Sequence, residues 1–204
     1  MRGRDSVAQV LPDVDTWPVG PDDLADLAVL FDSERTTRYC WCMAFCVTRT
    51  QFAAGWFGGG NRRRFEAMTT TGTTPMGIVA SVADRPVRWC ACGPRSCYVA
   101  ATSPRNPVLT GRDPDEDESV WLLPCLFVRA GHRGQGVSHA LVRAAVQLAH
   151  DAGASAIEGW PMSGGDRQSA DAFLGREEMF ADLGFRCVDR PVTGRVVMRR
   201  DLRG

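Results

Sequence analysis

The residues most able to do chemistry form one continuous run, Leu126-Phe127-Val128-Arg129-Ala130-Gly131-His132-Arg133-Gly134-Gln135-Gly136-Val137-Ser138-His139-Ala140. An apolar strand leads into an Arg-Gly-x-Gly turn, and the turn opens a helix with small and apolar residues on one face. Glycine lets backbone pass close to a bound group. The first amides of a helix have no partner within it, and the helix dipole adds positive potential there. Such a socket suits phosphate. The run therefore predicts a phosphorylated cofactor held by Arg133, Gly134, Gln135, Gly136, Val137 and Ser138.

Composition narrows the chemistry. The 204 residues include no lysine, and all 24 basic residues are arginine. Schiff-base chemistry on lysine is excluded, and so is a P-loop, which needs a lysine after its glycines. Formal net charge is zero, so the chain lacks the basic excess of a nucleic-acid binder. No apolar run reaches the roughly 18 residues of a membrane helix. Residues 1–10 have no apolar core of signal-peptide type, and a cytoplasmic protein is expected. The eight cysteines, at 40, 42, 46, 90, 92, 97, 125 and 187, do not follow the usual zinc spacings. Free thiols and no metal are expected, with a metal-stabilised interaction domain as the rival reading.

The elements that must carry the turn follow from pattern. Asp15 to Val19 reads as a strand, and Pro21 starts a helix with Leu24, Leu27, Ala28 and Phe31 inward. A second helix is expected over Thr50–Trp56 and a third over Arg62–Met68, capped by Asn61 after the glycine run 58–60. Met76–Val82 and Val87–Cys92 read as a hairpin turning at Asp84-Arg85-Pro86. Ser96–Glu118 reads as an exposed loop. Ser119–Val128 reads as a central strand, and Val137–Ala152 as the helix after the turn, stopped by Gly153. Ala156–Trp160 is a strand, Ala170–Leu183 a helix, and Phe185–Asp189 and Arg195–Arg199 two closing strands. The expected organisation is a flexible arm over 1–12 and one α/β domain over 13–204.

At this point the chain resembles the GNAT N-acetyltransferases. The likeness rests on Leu126-x-Val128, on Arg133-x-x-Gly136-x-Ser138 with Ala140-Leu141 in the helix, and on Ala152-Gly153-Ala154. It continues to Phe180 and Leu183-Gly184-Phe185. Ser138 stands where the family pattern has Gly or Ala. Cys40-Trp41-Cys42-Met43, Gly93-Pro94-Arg95 and Glu158-Gly159-Trp160-Pro161 resemble a bacterial branch of it.

The resemblance implies a mixed central sheet of about seven strands flanked by helices and splayed at the cofactor site. It implies acetyl-CoA as co-substrate, with the diphosphate on the amides of 134–138. The backbone of Leu126, Phe127 and Val128 would hold the pantetheine arm and polarise the thioester. Catalysis is then mostly positioning and oxyanion stabilisation. The acceptor would be a small-molecule or protein amine, attacking directly in a ternary complex; monomer and homodimer both fit. A non-catalytic acyl-CoA-binding or sensing protein is the alternative. Its support is Phe180, which occupies the position where many members carry a proton-donating tyrosine.

Glu158 is the first candidate base, read either as a site residue beside the splayed gap or as an edge carboxylate in solvent. Glu118 is second. Tyr39 and Tyr98 are the only tyrosines that could fold back to donate a proton. Cys125 reads as a nucleophile or, more simply, as core. Arg62-Arg63-Arg64 reads as a 3′-phosphate contact or a solvated helix face. The acidic loop Asp113–Glu118 attracts a cationic amine or merely solvates.

Overall fold

The computed structural model describes residues 14–129, 131–132, 137–164 and 173–202. The arm expected over 1–12 lies outside them. Seven strands form one sheet: β1 (Asp15–Pro18), β2 (Gly77–Val82), β3 (Arg85–Pro94), β4 (Val120–Val128), β5 (Ala156–Gly159), β6 (Arg186–Asp189) and β7 (Val197–Asp201). Their order is β1-β2-β3-β4-β5-β7-β6. All neighbours are antiparallel except β4 and β5. A parallel pair needs a crossover, and α6 (Val137–Asp151) lies on it.

Each strand presents alternate residues to opposite faces. On β3, Trp89 and Ala91 enter one core while Cys90 and Cys92 enter the other. The first core is covered by α1 (Leu24–Phe31), α2 (Arg35–Cys40), α3 (Met43–Cys46), α4 (Arg49–Gly55) and α5 (Gly60–Thr71). Its centre is Phe31, edge-on to Trp41, Phe65 and Trp89 at centroid distances of 5.1–6.0 Å, a geometry that aromatic quadrupoles favour. The second core lies under α6 and α7 (Glu177–Asp182), where Leu141, Val142, Ala145 and Phe180 meet Ile78, Cys90, Leu123 and Met198. The α/β class, the mixed seven-stranded sheet and its open form agree with expectation.

Several local expectations are corrected. Asn61 does not cap α5. It lies inside the helix, 1% exposed, and its side-chain amide donates to the carbonyls of Tyr39 and Phe52. The N-cap is Gly59 at φ +72°, and the helix runs three residues past Met68. The β2–β3 turn is Ala83-Asp84, both at positive φ, the two-residue form whose twist suits a hairpin. The expected loop 96–118 holds three short 3-10 turns and buries Tyr98, Ala101 and Leu109. Helix α7 begins only at Glu177, because Gly175 takes φ +74° and Arg176 is extended.

Candidate active site

The parallel pair opens partway along. Val120 to Leu123 pair with Ala156 to Gly159. The next β4 residue is Pro124, which has no N–H to give a ladder. Trp160 turns its indole into the junction, donating from Nε1 to the Pro124 carbonyl at 3.2 Å while only 3% exposed. Beyond that point Cys125, Leu126, Phe127 and Val128 keep their β3 partners, Ala91, Cys90, Trp89 and Arg88. Among the described residues, no strand pairs with the far edge.

Of the residues read from the sequence, Leu126, Phe127 and Val128 lie on β4 past this opening. Leu126, Val137 and Phe180 enter one buried cluster. Phe127 faces the opposite core and stacks on Phe173 at 5.9 Å; Val128 is half-buried. Phe180 is fully buried, edge-on to Phe185 at 5.0 Å and packed so closely on Gly159 that a side chain there would clash. Arg133, Gly134, Gln135 and Gly136 lie outside the described residues. Ser138, in the first turn of α6, accepts a hydrogen bond from Arg88 Nη1 at 3.1 Å. Arg88 is a residue the sequence reading missed. Its signal was a lone charge in the apolar run Val87–Cys92, on the face that α6 covers.

Glu158 is not an edge carboxylate in solvent; it is 4% exposed. It pairs with Leu122, before the opening. Arg95 Nη1 donates to its Oε2 and Arg199 Nη1 to its Oε1, both at 3.2 Å. Arg95 also donates to the Asp113 carbonyl at 2.9 Å and meets Asp117 at 3.1 Å. Arg199 grips Glu116 through both terminal nitrogens, at 2.8 and 3.1 Å. That bond holds the Glu116 carboxyl below its usual range and pushes the Arg199 guanidinium up. The acidic loop is thus pinned by arginines. The network lines a cavity of about 420 Å³.

The other candidates disperse. Glu118 is exposed. Tyr98 is 3% exposed and burial raises its hydroxyl well above its ordinary value; Tyr39 packs on Trp56 and Phe57. Cys125 is half-buried and meets Cys42, whose thiol is pushed well up by that contact and by burial. Trp89 Nε1 donates to Cys42 Sγ at 2.9 Å, and Cys42 follows Trp41 with both at positive φ. Arg62, Arg63 and Arg64 are engaged locally, by Glu66, the Gly58 carbonyl and the Gln51 carbonyl. His139 approaches Asp182, and His150 approaches Asp151. Among the described residues, no group of three or more His, Cys, Asp or Glu is arranged to hold a metal. No described helix is long and apolar enough to cross a membrane.

A sheet ordered 1-2-3-4-5-7-6, opening after its one parallel pair beside a helix N-terminus, defines the class. The family model for the GNAT acetyltransferases matches residues 51–174, well over half of the chain. The protein belongs to the GNAT acetyltransferase family. Solved structures share the fold at low identity. A putative acetyltransferase, yncA, from Salmonella typhimurium with acetyl-CoA is 15% identical, with a TM-score of 0.56 over 93% of this chain and 94% of that one. The GNAT domain of S. lividans PAT is 16% identical, with a TM-score of 0.57 over 93% and 90%. The paiA N-acetyltransferase of Thermoplasma acidophilum, in complex with coenzyme A, is 9% identical, with a TM-score of 0.53 over 93% and 99%. No curated protein matches the sequence.

Proposed function

We propose that the protein transfers acetyl from acetyl-CoA to a primary amine by direct attack in a ternary complex. The observation that carries this reading is the unpaired edge of β4 past Leu123, in a member of the GNAT family. Backbone groups of Leu126 and Val128 face that edge, while those of Phe127 turn to Trp89 on β3, so the first two would bond an extended amide-bearing arm as a missing strand would. Their N–H groups would also stabilise charge on a thioester oxygen. Val137 and Ser138, with Arg133 to Gly136, would hold the diphosphate.

Glu158 is the proposed base, acting through a water in the cavity it lines. A carboxylate has about four acceptor sites, and Arg95 and Arg199 use one on each oxygen. Phe180 packs beside the arm and donates no proton, so water protonates the leaving thiolate. The amine would approach from the α1–α5 face, where Phe45 stacks on Trp160 at 5.1 Å and lines a cavity of about 410 Å³.

Thermal melting with and without acetyl-CoA is the first test. Ligand at about 100 times its Kd adds roughly 2.7 kcal/mol, a rise of several degrees. Thiol release across a panel of amines follows. Stabilisation without thiol release from any amine would favour the sensing alternative; no stabilisation by any acyl-CoA would refute the donor.

A further inference from the structure

Arg88 is 1% exposed. It sits on β3 between Ala80 and Val128, on the face that α6 covers. Among the described residues its one hydrogen bond is from Nη1 to Ser138 Oγ, and its Nε and Nη2 are buried without a partner. Among the described residues no carboxylate pairs with it. Burial pulls the guanidinium down only to about 10, so it is charged at neutral pH.

An uncompensated buried cation is costly, and natural chains neutralise it or bind something that does. The hydroxyl it touches deepens the imbalance. Ser138 belongs to the first turn of α6, where the N–H groups of Val137, Ser138 and His139 have no acceptor within the helix. Two sources of positive potential, a guanidinium and a helix N-terminus, thus face each other with only a neutral hydroxyl between them. Both need an anion with several oxygens.

We propose that Arg88 is a binding residue for the diphosphate of the acyl donor, meeting it from the sheet beneath α6. Nη1 stays on Ser138, Nε and Nη2 donate to the anion, and the helix amides share its charge. This rests on the reading of acetyl-CoA as donor. It adds to that reading a charged contact from β3, outside the glycine turn. In the free protein the same guanidinium is a destabilising element, which the donor neutralises.

The test is titration calorimetry of wild type, Arg88→Met and Arg88→Lys with coenzyme A, dephospho-coenzyme A and pantetheine, beside melting of the ligand-free proteins. Arg88→Met should bind coenzyme A and its dephospho form about tenfold to a hundredfold more weakly, to equal degree. Pantetheine binding should not change, and Arg88→Lys should recover part of the loss. Ligand-free Arg88→Met should melt no lower than wild type. Unchanged coenzyme A affinity in Arg88→Met would overturn the proposal, as would a loss absent with dephospho-coenzyme A or shared by pantetheine. Should Arg88→Met not fold, Arg88→Gln, which keeps a donor for Ser138 but no charge, must show the same loss. Wild type that binds no coenzyme A would overturn the donor itself, a separate result from intact wild-type binding with an indifferent Arg88.

Discussion

Arg88 and Arg95 stand seven residues apart on or just past one strand, and each is 1% exposed. Their surroundings are opposite. Arg95 faces Glu158, Asp117 and the Asp113 carbonyl, with Glu116 at 3.6 Å. The Asp117 contact is an ion pair outside hydrogen-bond alignment. Arg88 faces one serine hydroxyl. Burial is the same, so burial does not separate architecture from function. Completeness of the partner set does. A charge whose partners are all in the chain holds the loop 95–117 and β7 to the sheet. A charge whose partners are missing marks where something from outside belongs.

The largest expected effect removes the complete set. Arg95→Met leaves Glu158 buried with one cation and Asp117 with Arg112 alone, and should cost about 3–5 kcal/mol. At roughly 2–4 °C per kcal/mol for a chain of this size, thermal melting reads it easily; a fall as small as a surface mutant's would erase the contrast with Arg88. Glu158→Gln should follow, with about 1–3 kcal/mol lost, because a neutral amide still accepts from one guanidinium. It also separates the two roles of that residue. A base loses turnover per folded molecule, most visibly at neutral pH, whereas a mere ion partner loses stability alone.

Acid should act on the same region. The carboxyls of Glu116 and Asp201 are both lowered, chiefly by hydrogen bonds from Arg199. Groups depressed on folding contribute above their unfolded values, here about 4.5 and 3.8, and lose that contribution as pH falls below them. Both are exposed enough for solvent to screen them. Melting temperature should therefore decline by only a few degrees more than in an Arg199→Met variant over that acid range; parallel curves would count against the assignment. The smallest effect is expected from Ser138→Ala, which takes away the one partner Arg88 has among the described residues. Coenzyme A binding should weaken only several-fold, since the guanidinium stays beside the anion.

The βαβ unit around the turn was legible because its signals are local. Strand, glycines, helix and Gly153 lie in sequence, and β4, α6 and β5 fall within a residue or two of expectation. Where signals were not local, the reading failed. Asn61 looks like a cap because it follows three glycines, yet its partners are Tyr39 and Phe52. The loop 96–118 looks solvated because its acids are visible in sequence, while the arginines that pin it sit at 95, 112 and 199. Helix α7 was drawn too long because periodicity does not show that Gly175 is left-handed. Of the proposed site, the glycine turn lies outside the described residues, and Leu126 to Val128 were visible as types in order. Trp160 at the strand junction and Arg88 under α6 were not, since neither has meaning until β3, β4 and β5 lie side by side.

Pro124 has one more consequence. By ending the ladder in the middle of a sheet, it leaves the end of β4 as an edge that no described strand covers. Such edges recruit other chains, and natural proteins shield them. The donor's extended arm would then serve as a detachable strand, and starvation for it would expose a seam for self-association. Samples kept with coenzyme A should stay monodisperse longer than samples without; equal light scattering in both would show the seam to be closed already.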